Sequence, residues 1–231
     1  NSWHSLINLA FRVIPLEPDV VVIHHNVNDV SARIVHPDVY RSDGIAARKP
    51  WVATRKQWWE HSALTTLALR RVGWRFDVWP TRFDIWAYVE APTSAMAIDT
   101  EDHCERIGGT PLEALKANPP THFDRNLRSM IALARQHNVD IVLSTWAHST
   151  LFDNCLGTAH YQHGIAEHNH VIRRVAREEG VTLFDFAPLM PTDKQYWTDG
   201  SHVNEAGAEV KGGHFARFLH ESGVLDRAPG S

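Results

Sequence analysis

The chain alternates short runs of β-branched, apolar residues with longer segments whose apolar residues recur at helical spacing. The apolar runs predict strands buried on both faces, as in a parallel sheet. These runs lie at 19–23, 140–145 and 181–186. The periodic segments predict helices at 3–14, 123–137, 163–179 and 204–220. Asn204 is expected to be the N-cap of the last one. Because strands and helices alternate, the order favours right-handed crossovers and an α/β fold.

Residues 33–120 interrupt this alternation. They are rich in Trp and Pro, and only 57–72 has a helical period. We interpret 33–120 as a Trp-rich insertion in a single domain that spans 1–231, placed over the C-terminal edge of the sheet, where open α/β folds bind ligands. A separate small domain is the alternative. The Trp side chains either line a sugar- or acyl-binding wall or pack the insertion's own core.

Composition excludes several classes of function. Apolar residues make up 43% of the chain and charged residues 22%, as in ordinary globular domains. The formal net charge of −4 gives no electrostatic reason to expect nucleic-acid binding. No apolar run approaches the roughly 20 residues of a membrane-spanning helix. The two cysteines, Cys104 and Cys155, are far apart in sequence, and we expect two unlinked thiols.

Two polar clusters follow predicted strands. His24-His25-Asn26-Val27-Asn28-Asp29 comes directly after the first strand, and Asp199-Gly200-Ser201-His202 lies between the third strand and the last helix. An Asp and a His three residues apart in a loop can lie side by side, so that the carboxylate orients the imidazole and leaves its other nitrogen as a general base. The amide of Asn28 can donate to a developing oxyanion. Both clusters fall at the sheet edge where an active site is expected.

Taken together, these segments resemble the conserved blocks of the SGNH/GDSL hydrolase family. The segments that carry the resemblance are 18–29, 123–128, 169–173 and 199–207. The resemblance implies a three-layer α/β/α sandwich with a parallel sheet, the flavodoxin-like SGNH fold. It also implies a serine esterase or lipase-type hydrolase that acts on ester bonds through an acyl-serine intermediate and needs no metal or organic cofactor.

The resemblance assigns roles to individual residues. His202 would be the general base, Asp199 would orient and stabilise the imidazolium, and Asn28 would be one donor of the oxyanion hole. We also predict substrate contacts from His25 and Asn26. Asn26 stands where the family usually has Gly, and Asn tolerates left-handed backbone geometry better than most residues.

The nucleophile has no counterpart in the chain. The family's first block, a Gly-Asp-Ser-like segment, supplies the serine, and its second block supplies a further oxyanion donor. The serines of this chain that we considered lack the strand-and-turn context of a nucleophile. They are Ser2, Ser5, Ser144 and Ser201. We therefore expect the first strand–helix unit to lie upstream of residue 1, and residues 1–231 alone to be inactive.

Other interpretations stay open. An acyltransferase and a non-catalytic carbohydrate-binding protein of the same fold are the alternatives to an esterase of small-molecule or glycan esters. Sequence leaves the oligomeric state open, and we expect a bacterial protein that is either cytoplasmic or exported. The histidines His160, His163, His168 and His170 suggest a metal site, but their helix resembles a packing helix of the family, so no metal is expected. Solvated surface charges are expected at Arg33, Arg41 and Arg48, with substrate contacts as the alternative.

Overall fold

The computed structural model describes residues 1–34 and 110–226, together with residues 37, 40, 42, 68 and 71. The chain divides into two compact units, one made of Asn1–Arg48 with Asp99–Ser231 and the other of Lys49–Ile98. The elements given below all belong to the first unit. Most of the predicted insertion at 33–120 and of its helix at 57–72 lies outside the described residues, so both stay predictions.

Three parallel strands form the sheet. They are β1 (Val20–His24), β2 (Asp140–Ser144) and β3 (Thr182–Phe184), in the order β1-β2-β3. Their C-terminal ends are level, because His24 lies opposite Ser144 and Ser144 lies opposite Phe184. The predicted strands and their parallel arrangement are confirmed. The loops that follow the three strands therefore emerge at one edge, with the loop of β2 in the middle.

The burial predicted for the first strand is wrong in part. Strand β2 is buried along Ile141–Ser144, whereas β1 pairs only with β2 among the described residues and its Val22 is 36% exposed. A run of β-branched residues is typical of a strand covered on both sides. In β1 only Ile23 is buried, so this strand is less covered than its sequence predicts.

Six helices surround the sheet in the described part of the chain. They are α1 (Ser2–Asn8), α2 (Val27–Arg33), α3 (Pro111–Ala117), α4 (Thr121–Gln136), α5 (Ala159–Glu179) and α6 (Glu205–Glu221). Helix α1 continues through a π-helical turn, Leu9–Val13, and a 3₁₀ turn, Ile14–Leu16. Together these three elements cover the helix predicted at 3–14. Asn204 caps α6 by accepting the N–H of Gly207, which confirms the predicted cap.

The sheet lies between two groups of helices. On one face Ile23, Ile141 and Leu143 pack with apolar residues of α4 and α5. On the other face Val142 and Phe184 pack with Phe186 and with the apolar side of α6. Helices therefore flank the parallel sheet on both faces, as expected for an α/β fold.

Two further observations concern cysteine and the membrane. Cys155 is disulfide-bonded, so the expectation of two unlinked thiols is wrong; Cys104 lies outside the described residues. The sparse cysteine usage carried no information on spatial proximity, which decides whether a disulfide forms. None of the helices among the described residues is both long enough and apolar enough to cross a membrane.

Candidate active site

The predicted pair of Asp199 and His202 is in hydrogen-bond contact. Nδ1 of His202 lies 2.7 Å from Oδ2 of Asp199, and Oδ1 of Asp199 accepts the backbone N–H groups of Ser201 and His202 at 2.8 Å each. Partial burial acts to raise the pKa of Asp199, but the hydrogen bonds from the His202 ring and from the two backbone groups outweigh it and lower that pKa. The carboxylate is therefore held ionised beside the ring. The His202 side chain is 77% exposed, so the ring is accessible to a reactant.

A glycine makes this loop possible. Gly200 has a φ of +81°, and a Cβ there would lie 2.5 Å from the carbonyl oxygen of Ser149. That close approach allows the N–H of Ser149 to donate to the carbonyl of Gly200 at 2.9 Å. The side chain of Asn154 also donates to the carbonyl of Asp199 at 2.7 Å. The loop after β2 thus holds the Asp199–His202 loop in place through hydrogen bonds to its backbone carbonyls.

Asn28, the predicted oxyanion donor, lies in the first turn of α2. The helix begins at Val27, three residues after β1 ends at His24. Asn28 is exposed, and its amide makes no hydrogen bond to the described residues. The amide is therefore available to a ligand at the same sheet edge that carries the loop of Asp199 and His202.

Asn26 is buried, unlike a typical substrate-binding residue. It is 3% exposed, and its Nδ2 donates to Oδ1 of Asn169 at 2.9 Å and to the carbonyl of Ile165 at 3.1 Å. Its φ of −168° is extended, so the left-handed geometry considered for this position does not occur. Asn26 anchors the loop after β1, and its predicted contact with substrate stays a prediction.

Asn169 links two loops of the candidate site, and sequence reasoning missed it. Besides accepting from Asn26, its Oδ1 accepts the N–H of Trp146 at 2.8 Å, and its Nδ2 donates to the carbonyl of Trp146 at 2.9 Å. The side chain thereby joins the loop after β1 to the loop after β2. A buried Asn in the middle of an amphipathic helix was the only signal, and it does not identify partners 23 and 143 residues away.

The two adjacent histidines have different surroundings. His24 lies 3.1 Å from Oγ of Ser144 and 3.4 Å from Nζ of Lys211, and its ring meets Phe186 and Phe215 edge-on. Burial, with a contribution from the Lys211 charge, lowers the pKa of His24 to about 3, so the ring is neutral. His24 is a structural junction between β1, β2 and α6.

His25 is partly buried, and that burial is the largest cause of its lowered pKa, which the charge of Asp29 opposes. A neutral imidazole can both donate and accept a hydrogen bond. Its predicted contact with substrate stays a prediction.

Arg33 is not the solvated charge that was expected. It is 1% exposed, and its guanidinium donates to the carbonyls of Asn118 at 2.6 Å and Leu115 at 2.9 Å and pairs with Glu167 at 2.6 Å. These carbonyls lie at the C-terminal end of α3, so the Arg33 side chain links α3 to α2. A lone Arg in a sequence gives no sign of partners that lie more than 80 residues away. Arg41 and Arg48 lie outside the described residues.

Two of the serines considered as nucleophiles are enclosed by the fold. Ser2 and Ser144 are completely buried. Ser201 lies inside the loop whose geometry Asp199 fixes.

One histidine of the cluster on α5 has a structural role. His168 is buried and stacks on Phe123 with ring centroids 4.3 Å apart. Within the described ranges no group of three or more His, Cys, Asp or Glu could hold a metal ion.

Comparison with known proteins places the chain in context. Residues 2–210 match the family model described as the GDSL-like lipase/acylhydrolase family. Among solved structures, the chain matches the crystal structure of a GDSL-like lipase from Bacteroides thetaiotaomicron VPI-5482, with 19% sequence identity and a TM-score of 0.39. That match covers 50% of this chain and 61% of the lipase, so the chain spans less than two thirds of the lipase's length. No curated protein matches the chain.

Proposed function

The chain belongs to the GDSL-like lipase/acylhydrolase family, as its sequence blocks predicted, and we propose that it hydrolyses ester bonds through a Ser-His-Asp mechanism. The observation that supports this mechanism most directly is the 2.7 Å contact between Nδ1 of His202 and Asp199. A carboxylate at Nδ1 keeps the proton there and leaves Nε2 as the base. The substrate is an ester of a small molecule or of a glycan.

The proposed reaction has two steps, which are acylation of the serine and hydrolysis of the acyl-serine. Nε2 of His202 takes the proton of the serine hydroxyl while Oγ attacks the acyl carbon, and the amide of Asn28 donates to the resulting oxyanion. Collapse of this intermediate breaks the ester bond, and the imidazolium returns its proton to the departing alcohol. Water then attacks the acyl-serine with the same base, which releases the carboxylic acid and restores the serine.

We propose that the nucleophilic serine belongs to a segment upstream of residue 1 that pairs with β1. Two observations support a further strand beside β1. Strand β1 has an open edge among the described residues, with Val22 exposed. In helix α6 only Gly207 is buried, and the apolar residues Val210, Phe215 and Phe218 are partly buried, so this layer is incompletely covered. A parallel strand at the edge of β1 would bring its C-terminal end to the edge that carries Asn28 and His202.

The test compares two preparations, residues 1–231 and the product of the complete native reading frame, in hydrolysis of p-nitrophenyl acetate. We expect background rates from residues 1–231 and turnover from the longer protein, with one serine upstream of residue 1 labelled by a fluorophosphonate. His202→Ala in the longer protein should abolish both turnover and labelling. His163→Ala is the matched control, because His163 is an exposed histidine of α5.

Each alternative has its own result. Robust turnover by residues 1–231 that Ser144→Ala or Ser201→Ala abolishes would contradict the upstream nucleophile. Full activity of the His202→Ala variant would contradict the mechanism itself. Transfer of the acetyl group to an added sugar in place of release as acetate would identify an acyltransferase.

A further inference from the structure

One carboxylate, that of Asp29, joins the start of α1 to the first turn of α2. The backbone N–H of Ser2 lies 3.0 Å from Oδ1 and 2.9 Å from Oδ2 of Asp29, and the hydroxyl of Ser2 donates to Oδ1 at 2.5 Å. Nδ2 of Asn126, on α4, donates to the same hydroxyl at 2.9 Å. Asp29 is 8% exposed and Ser2 is fully buried. Three helices therefore meet at the Ser2–Asp29 pair through polar contacts shielded from water.

Asp29 directly follows Asn28, the proposed oxyanion donor. Since the Asn28 amide has no partner among the described residues, its direction depends on the backbone of the first turn of α2. The N–H of Asp29 donates to the carbonyl of Asn26 at 2.8 Å and closes that turn. Consecutive helical residues point about 100° apart. Asp29 can thus be anchored inside the molecule while Asn28 projects from its surface.

We propose that Asp29 is a positioning residue, which fixes the first turn of α2 against Ser2 so that the Asn28 amide points at the oxyanion. This inference rests on the proposed function. An oxyanion donor acts only when it lies within hydrogen-bond distance of the oxygen that develops charge. A displacement of about 1 Å in a catalytic group can lower the rate about 100-fold.

A double-mutant cycle in the protein from the complete reading frame tests the proposal. Asp29→Asn keeps the size of the side chain but removes its charge and one of its two acceptor oxygens. We expect kcat for p-nitrophenyl acetate to fall about tenfold and KM to change less than about twofold, because the loss is in transition-state geometry. In an Asn28→Ala background the same substitution should change kcat less than about twofold, since the group it positions is gone.

Ser31→Ala is the matched control. Ser31 lies on the same helix, and its hydroxyl bonds the carbonyl of Val27 and the hydroxyl of Tyr161 at 3.0 Å each. Ser31→Ala therefore removes hydrogen bonds that also hold α2 in place, but on another side of that helix. Any effect of Ser31→Ala on kcat should be the same with and without Asn28.

The outcomes separate the two proposals. An equal loss of kcat from Asp29→Asn in both backgrounds, or no loss in either, would overturn the positioning role. Wild-type kcat in Asn28→Ala alone would instead contradict the oxyanion role of Asn28 in the proposed function. If Asp29→Asn fails to fold, Ser2→Ala replaces it, because it removes the hydroxyl with its bonds to Asp29 and Asn126 and keeps both contacts of the backbone N–H. Additivity of Ser2→Ala with Asn28→Ala would then overturn the proposal.

Discussion

At the scale of single residues, the contacts that sequence predicts are the local ones. Asp199 and His202 are three residues apart, and a loop of that length brings a carboxylate and an imidazole together without help from the rest of the fold. The contacts of Asn26 and Arg33 depend on residues more than 80 positions away, and their residue types favoured other interpretations. A polar residue's burial is decided by its tertiary partners, which a single sequence does not reveal.

The geometry of Asp199 predicts the effect of a nearly isosteric change. Its Oδ1 accepts two backbone N–H groups, so in Asp199→Asn the side-chain carbonyl has to stay there and the NH2 group has to face Nδ1 of His202. Nδ1 then becomes an acceptor and the proton of the neutral ring moves to Nε2, which can no longer act as base. We expect kcat of the product of the complete reading frame to fall about 10⁴-fold, with little change in thermal stability.

Two measurements check this prediction. Hydrolysis of p-nitrophenyl acetate gives kcat, and ¹⁵N NMR of the ring gives the tautomer of His202. Asp193→Asn, at an exposed aspartate nearby, is the control for loss of one negative charge. A proton that stays on Nδ1 in Asp199→Asn would show that the carboxylate does not select the tautomer.

At the scale of elements, long periodic segments were predicted well and short ones were missed. Helices α4, α5 and α6 have enough turns for an apolar face to be recognised, and each is within a few residues of its prediction. Helices α2 and α3 have seven residues each, too few for a periodicity to emerge. For α3 a signal was present, since Thr110 and Glu113 form a capping box. The first turn of α2 bears Asn28, so the candidate site lies partly on an element that the pattern did not predict.

The start of α6 depends on a glycine that can be tested against a second one in the same helix. A Cβ on Gly207 would lie 1.9 Å from the carbonyl oxygen of Tyr196, whereas a Cβ on Gly212 would meet nothing within 4 Å. We expect Gly207→Ala to destabilise the protein by about 1–3 kcal/mol, because α6 and the loop of His202 have to shift. Gly212→Ala should stabilise it by about 0.5–1 kcal/mol, because Ala favours the helix.

Urea unfolding of both variants measures these free energies. The NMR signals of the His202 ring should move in Gly207→Ala and stay in place in Gly212→Ala. Equal stabilities of the two variants would show that the approach of Tyr196 to the helix does not constrain the loop.

At the scale of the whole molecule, the two edges of the three-stranded sheet differ in sequence. Strand β1 is a continuous β-branched run with an exposed Val22, whereas β3 is a short strand whose Phe184 is buried. The sequence of β1 is typical of a strand buried on both faces. The described part of the structure does not satisfy this local preference. This mismatch does not depend on the catalytic residues, and the proposed strand beside β1 would remove it.

Amide hydrogen exchange tests that inference without reference to activity. An unpaired edge strand exchanges faster than a central one because its outward N–H groups bond to water. In residues 1–231 we expect the amides of β1 to exchange faster than those of β2. In the product of the complete reading frame β1 should become as protected as β2, while β3 is the internal control and should keep the same rate in both proteins. Protection of β1 in residues 1–231 that rises with protein concentration would mean that a second copy covers the edge, and unchanged rapid exchange in the longer protein would exclude an added strand.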